Sequence, residues 1–240
     1  MSFDQTFEFS KDNLEFYLKE VAKEYRKAVG KKMPAELILV GGASVLINYG
    51  FRNMTRDVDA FMNAASSMKD AINRVADRYQ LPNGWINADF SKTESFSEKI
   101  IEYSKYYKTF ANVLTIRTIA DEYLIAMKLK SFRQYKYDVS DIVGILKERK
   151  EAGHPITIEQ IKEAVVNLYG KWTSISKEAR QFIEKVIQEA NYNEIFELTR
   201  LHEKEARTLA ISIQNRKKVH NEEDLRTVLE YLMKKEIEDS

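Results

Sequence analysis

Hydrophobic and polar positions change period several times along the chain, and each change marks an element. Residues 10–30 carry Leu14, Leu18, Val21 and Tyr25 at helical spacing; Ser10 or Asp12 is placed to cap the start and Gly30 to stop it. Leu37, Ile38, Leu39 and Val40 form a short apolar run, the pattern of a strand buried on both faces. The run stops at Gly41 and Gly42. Residues 43–49 then predict a helix closed by Gly50, and a second strand carries Asp57, Val58 and Asp59. Residues 66–80 predict a helix with Met68, Ile72, Val75 and Tyr79 on one face, and Leu81 to Gly84 reads as a turn. The stretch from Trp85 to Phe90 has no clear period. Residues 99–107 and 110–118 alternate as two strands of a hairpin.

Beyond that point the period is helical. Residues 121–135 place Leu124, Met127 or Lys128, and Phe132 along one side of a helix. Asp138 stands where an N-cap belongs, with Asp141 three residues on, before Ile142, Ile145 and Leu146. Thr157 with Gln160 predicts a capping box ahead of Ile161, Ala164, Val165 and Leu168, and Gly170 ends that helix. Three more helices are expected at 176–190, 193–215 and 221–236, charged outside and without a catalytic-looking cluster. The expected fold is α/β (α+β): a small mixed sheet flanked by helices, with an all-helical C-terminal part. Residues 1–150 form the first region, and residues 151–240 a helical region packed on it.

Composition narrows this picture. A chain of 240 residues suits one large domain or two small ones and buries roughly 70–75% of its unfolded surface. The absence of cysteine excludes disulfides, cysteine-based zinc sites and thiol nucleophiles. His154, His202 and His220 are too scattered for a ligand-spaced set. With 38 basic and 37 acidic side chains, no global charge draws the chain to nucleic acid or a membrane. The acidic, aromatic N-terminus lacks the features of a signal peptide, and no window approaches the ~20 apolar residues of a span. A cytoplasmic protein with no membrane partner is expected. Only 8 glycines and 3 prolines argue against a turn-rich all-β fold.

The candidate chemistry lies at 36–61. Side chains alternate along a strand, so Asp57 and Asp59 share a face and repel each other, and a divalent cation is the usual partner for such a pair. Alone, two carboxylates in an apolar strand are more often a solvated edge feature. The turn at Gly41 and Gly42 changes the weighting, because it opens a helix whose N–H groups and positive end suit a phosphate. Ser44, at the start of that helix, either meets a phosphate oxygen or satisfies a helix amide. Phosphate cradle plus metal pair is an arrangement for activating a nucleoside triphosphate.

Gly41 and Gly42, followed by Thr55, Arg56, Asp57, Val58 and Asp59, resemble the signature of the DNA polymerase β-type nucleotidyltransferase superfamily. Leu81 and Pro82, then Trp85, Ile86 and Asn87, are similar to a segment of one bacterial branch of nucleotidyltransferase-like proteins, akin to AbiE-type toxins of toxin–antitoxin systems. Tyr123 to Leu129, then Arg133, Lys136, Asp138 and Asp141, resemble that branch's next helix pair. The resemblance covers roughly residues 30–150. It implies a polymerase-β-type fold and Mg²⁺-dependent transfer of a nucleotide from an NTP to a hydroxyl on RNA, such as tRNA, or on protein. A cognate antitoxin is an implied partner. Asp57 and Asp59 would hold the metal, Gly41, Gly42, Ser44 and Lys128 the nucleotide. A third carboxylate is expected from a later strand; Asp89 and Glu102 are the two candidates. The chain departs from the branch at Ala88, which takes an acidic position, and at Tyr137, which splits a Lys-Asp pair. Without the third carboxylate, the same fold would bind nucleotide or protein without turnover.

Other residues admit two readings. Arg56 alternates with the carboxylates and should face away, and Arg52 lies in the loop before them as a phosphate contact or a solvated arginine. Lys128 falls on the core side of its helix and needs a phosphate or a carboxylate, with Asp138 and Asp141 at hand. Tyr103, Tyr106, Tyr107 and Phe110, interleaved with Lys99, Lys105 and Lys108, make either a single-stranded nucleic-acid strip or one sheet face with a solvated rim. Trp85 and Trp172 read as core.

Overall fold

A computed structural model describes residues 7–217, with side chains through residue 210. The expected helix at 221–236 lies outside the described residues. The elements run α1 (Lys11–Val29), β1 (Ala35–Leu39), α2 (Gly41–Asn48), β2 (Val58–Asn63), α3 (Ser67–Tyr79), β3 (Ile86–Asn87), β4 (Ser104–Phe110), β5 (Leu114–Ile119), α4 (Asp121–Ser131), α5 (Asp138–Glu151), α6 (Ile158–Tyr169), α7 (Lys177–Glu189) and α8 (Tyr192–Lys217). The expected small mixed sheet flanked by helices is present. Its order is β3-β2-β1-β5-β4. β1 runs antiparallel to β2 and parallel to β5, β2 is parallel to β3, and β4 with β5 forms an antiparallel hairpin.

Alternation along the central strands builds two cores. Leu37 and Leu39 of β1, Val58 and Ala60 of β2, and Leu114 and Ile116 of β5 face α1 and α3. Ile38 and Val40 face the other way, into a cluster that runs through Leu124, Ile142, Ile161, Ile183 and Tyr192. The C-terminal helices therefore share a continuous core with the sheet. Because Val58 and Ala60 face α1 and α3, Asp59 projects from the opposite side, toward α4 and α5.

Local signals explain most element ends. Ser10 accepts the Asn13 N–H, Gly30 closes α1, and Thr157 with Gln160 forms the expected capping box. Ala111 and Asn112, both at positive φ, make the tight turn between β4 and β5. Four expectations need correction. Asp57 precedes β2 rather than lying in it. Much of 99–107 is not strand: Glu98–Ile101 is a 3₁₀ turn that buries Ile100, and β4 starts only at Ser104. α4 stops at Ser131, where Phe132 turns left-handed (φ 41°), short of the expected residue 135. Asp138 is the first residue of α5 and not its cap, because its carboxylate is engaged by Lys128 and Arg133.

Candidate active site

The turn after β1 brings the chemistry together. Val40 donates its N–H to the Asp59 carbonyl (3.0 Å), which ties the start of α2 to the start of β2. Both glycines are required sterically, for different reasons. Gly41 has φ +54°, a conformation side chains rarely adopt, and a Cβ there would sit 3.6 Å from Asp59 Oδ2. A Cβ on Gly42 would come within 2.7 Å of Thr55 Oγ1 and 2.8 Å of Arg52 Nη2. Gly42 thus lets the loop before β2 lie against α2. Thr55 holds that loop: its hydroxyl donates to the Asp57 carbonyl (3.1 Å), and its backbone exchanges hydrogen bonds with Phe9.

A cavity of about 310 Å³ opens beside this turn. From the β2–β3 side it is lined by Gly41, Asp57, Asp59 and Asp89; from the α4–α5 side by Lys128, Arg133 and Lys136. Asp59 is half-buried and its carboxyl is pushed up to about 6, chiefly by burial and then by the Asp57 charge; Lys136 and Arg133 pull in the opposite direction. Asn87, register partner of Asp59 in β3, accepts the Asp89 N–H through its side chain (2.8 Å) and so places Asp89 on the cavity rim. Asp89 is exposed and paired with Lys92 (2.8 Å).

Below the cavity lies a buried ion network. Lys128 Nζ donates to Asp138 Oδ1 and Asp141 Oδ2, both at 2.8 Å. Arg133 Nε donates to the other oxygen of Asp138 (2.9 Å), and Arg52 pairs with Asp141. Burial by itself would lower the Lys128 pKa, but the two aspartates outweigh it and hold the ammonium above its ordinary value. Burial would likewise raise Asp138, yet Lys128 and Arg133 bring its carboxyl down to about 2.

Five of the sequence-derived candidates therefore meet at one cavity: Gly41, Asp57, Asp59, Asp89 and Lys128. Three do not line it. Gly42 packs against Thr55 and Arg52. Ser44 is fully buried on the far side of α2, where its hydroxyl accepts the Ile119 N–H (3.3 Å) and pins α2 to β5. Glu102 is exposed beyond the 3₁₀ turn before β4. Lys128 reaches the cavity already engaged by its two aspartates, the carboxylate alternative of the sequence. Arg52 proves to be neither solvated nor a cavity residue but the partner of Asp141. Arg56 is exposed beside Glu8 (3.5 Å), facing away as expected.

The sequence gives no warning of Glu203. This α8 carboxylate is 2% exposed and accepts the N–H of Val139 (2.8 Å) and of Ser140 (3.3 Å), so it caps α5 from another helix. Its position on the inner face of α8, between Arg200 and Arg207, is the only local clue.

Chemically, the Asp57 and Asp59 pair suits a hard cation. The space that Gly41 leaves beside Asp59 and the mutual repulsion of the pair both fit Mg²⁺, which takes one or two carboxylates and completes its shell with water and phosphate oxygens. Among the described residues, no group of three His, Cys, Asp or Glu side chains is gathered closely enough to hold a metal ion by itself. No helix among them is long and apolar enough to cross a membrane.

No curated protein and no solved structure matches the chain. Residues 17–148, more than half of it and including every candidate above up to Asp141, match the model of the family described as "Nucleotidyltransferase of unknown function (DUF6036)". On that match, and with a glycine turn, a carboxylate pair and a mixed sheet arranged as described, the chain belongs to this family of nucleotidyltransferases.

Proposed function

We propose that the protein moves a nucleoside monophosphate from an NTP to a hydroxyl acceptor, an RNA such as tRNA or a protein, with Mg²⁺ as cofactor. One observation carries this reading: a single cavity combines the Asp57 and Asp59 pair, beside the Gly41 turn, with cationic side chains from the α4–α5 side. In this reading Asp57 and Asp59 hold Mg²⁺, which when bound offsets phosphate charge and makes the α-phosphorus more electrophilic. Gly41 and the first amides of α2 receive phosphate oxygens, with the positive end of the helix behind them. Arg133 and Lys136 balance the charge of the triphosphate. The acceptor oxygen forms a bond to the α-phosphorus, its proton passes to Asp89, and the bridging bond to the β-phosphate breaks. Pyrophosphate leaves with that electron pair, its charge held by Arg133 and Lys136. Lys128 acts through the network, fixing Asp138 and with it Arg133. Ser44, buried and bonded to the Ile119 N–H, has no part in holding the nucleotide in this reading.

Incubation of the protein with labelled NTPs, Mg²⁺ and RNA or protein acceptors tests the reading. Label transfer is expected to vanish in Asp57→Ala and Asp59→Ala, and transfer that survives both overturns the assignment. A second reading rests on the exposed, Lys92-paired state of Asp89 and on the lack, among the described residues, of a third carboxylate gathered with the pair closely enough to hold a metal ion. There the cavity binds Mg²⁺-nucleotide without turnover, and a Mg²⁺-dependent thermal shift with ATP would appear without transfer. The resemblance to AbiE-type proteins extends either reading to a toxin with a cognate antitoxin.

A further inference from the structure

Four residues of the basic and aromatic strip suggested by the sequence around β4 are engaged within the fold. Lys105 pairs with Asp121, Lys108 with Glu15 (2.6 Å), Tyr107 bonds Glu15, and Tyr103 stacks on Tyr123 (3.8 Å). A different cluster carries surplus charge. Tyr137 lies between Lys136 and Asp138, both of which line the cavity. Three guanidinium groups surround its ring: Arg200 at 3.9 Å, Arg207 at 5.3 Å and Arg52 at 5.7 Å from the centroid. Arg52 is paired with Asp141, which it shares with Lys128. Arg200 bonds only the neutral hydroxyl of Ser140 (3.3 Å), and Arg207 has no carboxylate partner among the described residues. Glu203 stands at helical spacing from both, but its carboxylate is turned inward to the Val139 and Ser140 amides.

Two guanidinium groups with no carboxylate partner among the described residues, held against one ring, repel each other, and an anion relieves that cost. Stacking on Tyr137 fixes the Arg200 plane and leaves hydrogen-bonding edges for phosphate. Arg200 and Arg207 are two helical turns apart, about 10 Å along the axis, more than a single phosphate spans. Arg133 and Lys136, close to Tyr137 in the chain, line the cavity that holds the carboxylate pair. This pattern of spaced cations around an aromatic side chain, leading into the cavity, matches a chain of phosphates better than a free nucleotide. An acidic peptide would place its charges without the regular spacing the stacked arginines favour. We infer that Tyr137, Arg200 and Arg207 dock the phosphodiester backbone of an RNA acceptor, whose hydroxyl end then enters the cavity. The inference rests on the transfer reading and selects RNA over protein as its acceptor.

The test is fluorescence anisotropy of the full chain with a short 5′-labelled single-stranded RNA over a series of salt concentrations. Arg200→Gln with Arg207→Gln is expected to weaken binding about tenfold or more and to reduce the slope of log K against log salt by about 1.4, at about 0.7 per phosphate lost. Lys108→Gln, on the β4 strip, is expected to bind RNA as the wild type does. Circular dichroism melting confirms that each variant is folded, and Arg207→Gln alone, which removes no hydrogen bond among the described residues, provides the milder case with about half the slope change. Unchanged RNA affinity in the double variant overturns the inference, as does an equal loss of binding to a polyglutamate peptide. The two proposals fail separately. RNA binding that depends on Arg200 and Arg207 in a protein that transfers no nucleotide sinks the transfer reading and leaves the docking site. Transfer to a protein acceptor, with no RNA bound at any salt concentration, sinks the docking site alone.

Discussion

Ionisation of Asp59 works against the stability of the fold. Its carboxyl is raised from 3.8 to about 6 by burial and by Asp57. The folded state therefore holds that proton more tightly than the unfolded chain does. The cost of ionising Asp59 is present in full above about pH 6 and is relieved as pH falls through 6 toward 3.8, on the order of 1–3 kcal/mol. Asp59→Asn is expected to melt higher than the wild type at pH 7.5 and to lose the pH dependence that Asp59 contributes below 6. It is also expected to lose any Mg²⁺-dependent shift with ATP. Thermal unfolding with and without Mg²⁺-ATP reads all three, and a variant that melts lower than wild type contradicts the assignment. Asp57, just ahead of β2, reaches the cavity from the loop, whereas the facing of Asp59 was legible because alternation along a strand is a local property. So was the need of Lys128 for a partner, since an ammonium on an apolar helix face cannot stay unpaired. Arg52 was not legible, because a loop arginine carries no periodicity to say whether it faces solvent or a buried aspartate.

Between elements, the decisive contacts join α5 to the loop that follows α2. Glu148 accepts the N–H groups of Gly50 and Phe51, each at 2.9 Å, and Gly144 lies against the Phe51 ring. Glycine inside a helix normally costs up to about 1 kcal/mol relative to alanine. Here a Cβ would stand 2.6 Å from the ring, so the sign reverses. Gly144→Ala is expected to destabilise by about 1–3 kcal/mol through overpacking, measured by urea denaturation, and to weaken nucleotide binding as the Arg52 loop shifts. A gain of about 1 kcal/mol would mean that the ring moves aside freely. Helices with caps and full periods were readable, as the Ser10 cap and the Thr157 box show. β3 was not, because two residues carry no period; its position comes from pairing with β2. The first half of 99–107 alternates like a strand, yet burial of Ile100 in a 3₁₀ turn overrides the pattern.

Across the whole molecule, Glu203 links the C-terminal helices to the candidate site by capping the helix that carries Asp138 and Asp141. Burial pushes its carboxyl up to about 8, with Asp141 adding to the rise, while the Ser140 and Val139 contacts act against it. Arg200 and Arg207 flank it on α8. Because the folded value lies above the unfolded 4.5, the contribution to stability is fully present below 4.5 and is lost as pH climbs to about 8. Glu203→Gln keeps an acceptor for the α5 amides and is expected to flatten the fall in stability between pH 5 and 8. Glu203→Ala leaves those amides uncapped and is expected to cost about 1–3 kcal/mol at pH 7. Melting curves across that pH range distinguish the three proteins, and a Glu203→Gln profile as steep as wild type rules out Glu203 as the titrating group.

The amino-acid sequence by itself determined the α/β class, most helices with several of their caps, the order strand, glycine turn, helix, strand across 36–61, and the facing of Asp59. These follow from periods of two and 3.6 and from turn chemistry within a few residues. Only the tertiary structure decided that Ser44 faces β5, that Gly42 makes room for Thr55, and that Asp89 rather than Glu102 shares the cavity. It also decided that Arg52 meets Asp141 across 89 positions of chain and that Glu203 caps α5 across 64. Those contacts depend on which elements pack together, and no local pattern encodes that choice.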